Sequence, residues 1–170
     1  MPSSRIATFA TAVAAALLSC SAALAAPCDA AVHRAFDFWL GKWEVRTPNG
    51  KLAGNSRIER EYGGCVIHEF YETPSGYRGE SLNIYDAGRK HWNQNWVDNT
   101  GVTLRLDGGL QTDGKMVLEG TSIGPDGKPT QQRISWTPNP DGTVRQLWET
   151  ADGKGGWAVA FDGQYTRVAP

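Results

Sequence analysis

The sequence contains no basic run, and its 17 basic residues nearly balance its 18 acidic ones. This composition disfavours nucleic acid and anionic membrane surfaces as partners. Beyond the N-terminal segment there is no apolar run long enough for a transmembrane helix. With 170 residues the chain suits one domain better than two. Small molecules and other proteins remain as the partner classes that composition allows.

Catalytic signatures are missing as well. The sequence has no metal-ligand spacing, no Gly-x-Ser-x-Gly motif and no phosphate-binding loop. Arg57, Glu59 and Glu61 share one strand face, but this charged row is typical of a solvated outer surface. We therefore assign no catalytic residue, metal or cofactor from sequence, and enzymatic activity has no positive support.

The sequence has only three cysteines, and the first of them, Cys20, lies in an N-terminal segment with the pattern of an export signal. Arg5, the apolar residues 7–18 and the Ala-Leu-Ala sequence at 23–25 form the pattern of an export signal, with cleavage before Ala26. Residues 1–25 are then a signal peptide and residues 26–170 a single domain, located in the periplasm or secreted. The alternative is a lipidated Cys20, although Leu18 is not the small residue preferred two places earlier.

Cleavage leaves Cys28 and Cys65, which predict a disulfide in an oxidising compartment. Closing a loop of about 38 residues would stabilise the fold by at most about 4 kcal/mol. The alternative is a reactive thiol, which requires an unpaired cysteine of low pKa.

Turn sequences divide the mature chain into short segments. They recur every eight to twelve residues and include "TPNG", "TPSG", "DNTG", "GPDG" and "NPDG". Nine such turns predict about ten strands in an antiparallel meander. Only residues 29–40 have the pattern of a helix, which would end at Gly41.

The segments between the turns alternate between apolar and polar residues, as half-buried strands do. The expected inward sets are Trp43 and Val45; Val102, Leu104 and Leu106; Ile134 and Trp136; Val144, Gln146 and Trp148; and Trp157, Val159 and Phe161. Closure into an up-and-down barrel removes both exposed sheet edges. We favour this all-β barrel over a sandwich, because the sequence lacks long Greek-key connections. The stretch "FDFWLGKWEV" (36–45) would plug one end with Phe36, Phe38 and Trp39.

Several motifs point to a known family. A short N-terminal helix, Gly41-x-Trp43 at the first strand and a run of hairpins resemble the calycin-type barrels, namely the lipocalins and their bacterial lipocalin-like relatives. The ordered set "FDFWLGKWEV", "GGC", "IYD", "WNQNWVD", "WTPNPDGTVRQLWE" and "FDGQY" resembles more closely a DUF1579-like group of exported bacterial proteins. This resemblance implies a barrel with an internal cavity, and no particular reaction.

A second resemblance is to the nitrobindin-like barrels, which bind haem through a histidine late in the chain. The histidines here are His33, His68 and His91, so the last strands offer no such ligand. We accordingly expect no haem.

Glutamine side chains that share a strand face with tryptophans indicate a candidate pocket. Trp92, Gln94, Trp96 and Asp98 share one strand face, and Gln146 lies between Val144 and Trp148 on another. Inward glutamines among rings are typical of a small-molecule pocket with a few orienting hydrogen bonds. The structural alternative is that each amide bonds to a neighbouring strand or to a buried water while the indoles fill the core.

The sequence-based hypothesis is a barrel that binds a small, partly apolar molecule through Trp43, His68, Gln94, Trp96, Gln146 and Trp148. His68 shares a face with Val66 and Phe70, which would place it in the cavity. Arg133 or Arg145 would add charge at the mouth, unless both are ordinary outer-face residues. The rival functions are a cavity enzyme with His68 as general base, and an envelope protein that binds other proteins through one sheet edge or an exposed aromatic patch.

Overall fold

A computed structural model of the chain describes residues 28–124 and 126–168. The proposed signal peptide, its cleavage site and Cys20 lie outside these residues. No helix in the described part of the chain has the length and apolar character needed to cross a membrane.

Ten strands follow a short helical segment. The helix α1 spans Ala31–Arg34, and short 3-10 helices span Asp37–Trp39 and Tyr62–Gly64. The strands are β1 (Gly41–Arg46), β2 (Leu52–Glu61), β3 (Val66–Glu72), β4 (Arg78–Asp86), β5 (His91–Asp98), β6 (Thr103–Leu110), β7 (Met116–Ile123), β8 (Pro129–Pro138), β9 (Val144–Ala151) and β10 (Trp157–Arg167).

Each strand pairs antiparallel with the next one in the chain, and β1 pairs with β10 to close the barrel. Val45 lies opposite Tyr165 at this closing seam. Closure leaves no sheet edge open to another chain. The predicted fold class, an all-β antiparallel up-and-down barrel of about ten strands with a short N-terminal helix, is confirmed.

The hairpin turns have the local chemistry that the sequence indicates. In "NPDG", Asp141 accepts a hydrogen bond from the backbone N–H of Thr143 at 3.0 Å, and Gly142 adopts a positive φ of 82°. A side chain would disfavour that backbone conformation, which glycine adopts freely. These compact turns keep consecutive strands adjacent.

Aromatic residues fill one end of the barrel, which we call the closed end. The side chains of Phe36 and Trp39 have no solvent exposure and stack with ring centroids 4.9 Å apart. Phe36 also meets Trp136 edge-on at 5.1 Å, and Phe38 packs against Phe36. The indole N–H of Trp43 donates to the Trp39 carbonyl at 2.9 Å. The aromatic N-terminal segment is therefore a plug that the strand walls surround.

A disulfide holds this plug in place. Cys28 is bonded to Cys65 with the two Cα atoms 5.0 Å apart, as the sequence predicted. Cys65 directly precedes β3, so the bond ties the start of the described chain to the barrel wall. An ion pair between Arg60 of β2 and Asp37 adds a second link between wall and plug.

The last strand departs from strict alternation. The register between β9 and β10 shifts between Val159 and Phe161, which is the signature of a β-bulge. Phe161 faces the interior, whereas Val159 is exposed and Trp157 packs outside beneath the Arg133 guanidinium, 4.2 Å from the ring centre. The prediction that Trp157, Val159 and Phe161 share an inward face is therefore wrong, because the bulge reverses the pattern.

Candidate ligand-binding cavity

A cavity of about 350 Å³ lies inside the barrel on the side away from the plug. Its wall comes from β2, β3, β5, β6, β8, β9 and β10 and from the β3–β4 turn. The lining residues are Ala53, Glu69, Tyr71, Thr73, Tyr77, Gln94, Trp96, Leu104, Ile134, Gln146, Trp148, Ala160, Phe161 and Tyr165. This volume suits a small organic molecule.

Four of the residues proposed from sequence line this cavity, namely Gln94, Trp96, Gln146 and Trp148. Gln94 donates to Asn83 Oδ1 at 2.8 Å, and Gln146 accepts a hydrogen bond from the Tyr165 hydroxyl. The Trp148 indole donates to Gln132 Oε1 at 2.7 Å. Each amide thus has a protein partner, and each keeps further hydrogen-bonding capacity for a ligand.

His68 does not face the cavity, contrary to the sequence-based expectation. It lies on the outer wall, where Nδ1 is 3.0 Å from Glu61 and Nε2 is 3.2 Å from Glu80. Its strand places Ile67 and Glu69 inward instead, with both side chains almost fully buried. Neighbouring residues of a strand point to opposite faces, so a face assignment that is off by one residue exchanges inward and outward side chains. The sequence-based assignment of His68 contains this error. A cavity enzyme with His68 as general base is therefore inconsistent with the fold.

Trp43 faces inward but belongs to the closed end rather than to the cavity lining. It packs against Tyr165 with ring centroids 6.2 Å apart, and its indole N–H is bonded within the plug. The Arg167 guanidinium covers its ring at 4.2 Å. Trp43 is therefore a residue of the plug, and we do not include it in the candidate site.

The two arginines considered for the cavity mouth lie on the outer wall. Arg133 donates to Glu149 at 2.8 and 3.1 Å, and Arg145 donates to both oxygens of Asp162 at 2.7 and 2.9 Å. These cross-strand ion pairs occupy both guanidinium groups. Both arginines are therefore ordinary outer-face residues, which was the alternative that the sequence left open.

Glu69 is the most unusual residue of the cavity, and the sequence analysis missed it. Its side chain is 3% exposed, and its two carboxyl oxygens accept hydrogen bonds from Ser56 at 2.9 Å and Ser81 at 3.1 Å. Burial raises the pKa of Glu69 to about 7, although the hydrogen bonds from Ser56 and Ser81 act in the opposite direction. The cavity therefore contains a carboxyl group that titrates near neutral pH.

A polar network continues from Glu69 along the wall. Ser81 accepts a hydrogen bond from Asn83 at 2.9 Å, and Asn83 in turn accepts one from Gln94 at 2.8 Å. Asn83 also donates to the Ile67 carbonyl at 3.0 Å. Bonds of this kind fix the orientation of buried polar groups in one arrangement. The cavity wall is thus preorganised.

Tyr77 and Trp96 form one side of the cavity mouth. Their rings stack with centroids 6.4 Å apart, and both donate to Asp98 Oδ2, at 2.9 and 3.1 Å respectively. Partial burial alone raises the pKa of Asp98, but hydrogen bonds from Thr100, Trp96 and Tyr77 lower it to about 2. Gly79 makes room for this arrangement, since a Cβ there would lie 2.1 Å from the Trp96 ring.

The outer wall has a larger depression of about 800 Å³ beside β1 to β5. Its lining is mostly of outward-facing side chains, such as Arg57, which stacks on Phe70 at 3.9 Å. The interior cavity is the better candidate site because it combines aromatic walls with buried, fixed polar groups.

No group of three or more metal-ligating side chains occurs in residues 28–124 and 126–168. No protein-family model matches the chain, and no curated protein is significantly similar to it. The closed ten-strand antiparallel barrel fits a lipocalin-like fold in general, but no match supports the finer calycin or DUF1579-like assignment.

Proposed function

We propose that this barrel binds a small, partly apolar molecule in its interior cavity. The observation that carries the proposal is a cavity of about 350 Å³ with aromatic walls and a few fixed polar groups, Glu69, Gln94 and Gln146. This combination is typical of small-molecule sites, in which apolar contact supplies affinity and polar groups set orientation. On this proposal Gln94, Trp96, Gln146 and Trp148 contact the ligand.

The apolar wall supplies the larger part of the binding free energy that the cavity offers a ligand. A two-ring ligand that buries about 200 Å² of apolar surface gains about 5 kcal/mol, before the losses of association. Two or three hydrogen bonds of about 1 kcal/mol each add to this gain, and the affinity is the surplus that remains after the losses of association.

We further propose that the mature protein, residues 26–170, is a single lipocalin-like domain that acts in the periplasm or after secretion. The Cys28–Cys65 disulfide supports this location, since such bonds persist in oxidising compartments. The signal-like segment at residues 1–25 supports it independently. Mass spectrometry of the protein from its own host would test it, with an N-terminus at Ala26 as the expected result.

Binding is tested with the neutral fluorescent probe N-phenyl-1-naphthylamine. We expect micromolar binding to the native protein and at least tenfold weaker binding to Ala53→Phe, because the added ring occupies the cavity. Val159→Phe is the matched control, since Val159 is exposed on the outer side of β10. Equal affinity in the two variants, or no binding to the native protein, would refute the proposal.

A second cavity variant keeps the test valid if the first variant does not fold. Ala160 lines the cavity and is exposed, so Ala160→Phe adds a ring with little strain on the core. Circular dichroism establishes that each variant is folded. Native mass spectrometry of protein purified without denaturation then identifies any retained molecule by its mass.

A further inference from the structure

The Glu69 carboxyl group is buried without a basic partner. Its direct neighbours are neutral hydroxyls, namely Ser56 and Ser81 across the adjacent strands and Tyr165 from β10. Among the described residues that line the cavity, none is Lys, Arg or His. A buried acid is ordinarily paired or kept neutral, because an unpaired charge is poorly solvated inside a protein.

The surrounding hydroxyls are oriented for the charged form of this acid. Ser56 and Ser81 each donate to one carboxyl oxygen, and a carboxylate oxygen accepts further hydrogen bonds beside these. The titratable groups that face Glu69 are Tyr71 of its own strand and Tyr165 of β10. Burial raises the pKa of Tyr71 to about 12 and that of Tyr165 well above 10, so both stay neutral.

The remaining walls also favour a cation. The aromatic lining residues are Tyr71, Tyr77, Trp96, Trp148, Phe161 and Tyr165. The faces of such rings attract ammonium groups, most strongly when water is excluded. Asp98 lines the outer depression, where it accepts hydrogen bonds from Tyr77 and Trp96 of the cavity lining, and these bonds help to keep it ionised. The cavity thus combines aromatic walls with one ionisable acid.

We propose that the cavity selects protonated organic amines with an apolar body, and that Glu69 is the counter-ion of the bound ammonium group. This inference rests on the proposed binding function and specifies its ligand class. An anionic ligand such as a fatty acid would bring a second negative group to an acid that has no basic neighbour, so carboxylates are selected against.

Three ligands that share a phenylethyl body test this selection, namely 2-phenylethylamine, the neutral amide 3-phenylpropanamide and 3-phenylpropanoate. Isothermal calorimetry at pH 8 measures each directly. We expect the amine to bind at least tenfold more tightly than the amide, and the carboxylate most weakly. In Glu69→Gln the preference for the amine should fall at least tenfold, whereas Glu119→Gln, an exposed position on β7, should retain it.

The dependence of amine affinity on pH distinguishes a counter-ion role of Glu69 from a merely structural one. Amine affinity should rise between pH 5 and 7, by up to tenfold per unit, as Glu69 becomes ionised, and then level off near pH 8. In Glu69→Gln the profile over this range should be flat. The neutral amide should show little dependence on pH in either protein.

The outcomes separate this inference from the proposed function. If N-phenyl-1-naphthylamine binds in the cavity but amine and amide bind equally, the ligand class is wrong and the binding function stands. An unchanged amine preference in folded Glu69→Gln would also overturn the role of Glu69. If neither the probe nor any of the three ligands binds, the inference and the proposed function both fail.

Discussion

A single residue, Glu69, connects the stability of the barrel to pH. Its pKa lies near 7 in the folded protein, against an ordinary value of 4.5, so the folded state holds more protons between these pH values. The free energy of unfolding should therefore fall as pH rises through this window, by about 3 kcal/mol from this group. In Glu69→Gln this loss is absent. Urea unfolding of both proteins from pH 4 to 8 measures the effect.

Other carboxyl groups also titrate, and several have a lowered pKa in the folded protein, such as Asp98. These groups make the free energy of unfolding rise with pH, opposite to the effect of Glu69. Both proteins share them, so the informative quantity is the difference between the two unfolding free energies. We expect the unfolding free energy of Glu69→Gln to increase relative to that of the native protein as pH rises. Parallel curves would show that Glu69 is already ionised throughout, or that its surroundings do not perturb it.

The sequence identified some cavity residues and missed others for a physical reason. On β5 only one face carries the indoles, so the inward orientation of Gln94 and Trp96 follows from the pattern. On β3 both faces have apolar residues, Val66 and Phe70 outside and Ile67 inside. Outside, Phe70 is covered by Arg57 of the neighbouring strand, a contact that depends on register and not on the β3 sequence. The inward position of Glu69 was therefore not predictable from alternation alone.

At the scale of elements, the plug depends on the Cys28–Cys65 bond. The bond closes a loop with a sequence separation of 37, which limits the freedom of the unfolded chain. Replacing both cysteines with serine should lower the unfolding free energy by up to about 4 kcal/mol. Chemical denaturation of the double variant and the oxidised native protein measures this difference.

Reduction of the native protein by dithiothreitol serves as the control, since it breaks the same bond without changing the sequence. It should produce a similar loss of stability. If neither treatment changes the denaturation midpoint, the bond contributes nothing to holding the plug, and the contacts of Phe36 and Trp39 with Trp136 are sufficient by themselves.

Turn chemistry made the strand number and connectivity predictable, because glycine and proline at fixed spacing indicate hairpins directly. The bulge in β10 was not predictable in the same way. Trp157, Val159 and Phe161 alternate as a regular strand would, and only the pairing with β9 shows the extra residue. As a result Phe161 lines the cavity, while Trp157 lies on the outer wall beneath the Arg133 guanidinium.

Over the whole molecule, the two ends of the barrel have different roles. Phe36, Trp39, Trp136 and their neighbours fill one end completely, whereas the other end encloses the cavity. The sequence predicted the barrel and the plug because both follow from composition and periodicity. The division of the interior between packed core and open cavity depends on side-chain geometry across strands that are distant in sequence.

The central claim is that ligands enter this cavity and leave the plug undisturbed. The indole N–H groups allow a direct measurement, because Trp96 and Trp148 line the cavity, Trp39 and Trp43 lie in the plug, and Trp157 lies outside. In a ¹H–¹⁵N spectrum recorded during titration with N-phenyl-1-naphthylamine, we expect the Trp96 and Trp148 indole signals to shift and those of Trp39, Trp43 and Trp157 to stay. Shifts confined to Trp157, or no shift at Trp96 and Trp148, would contradict the account.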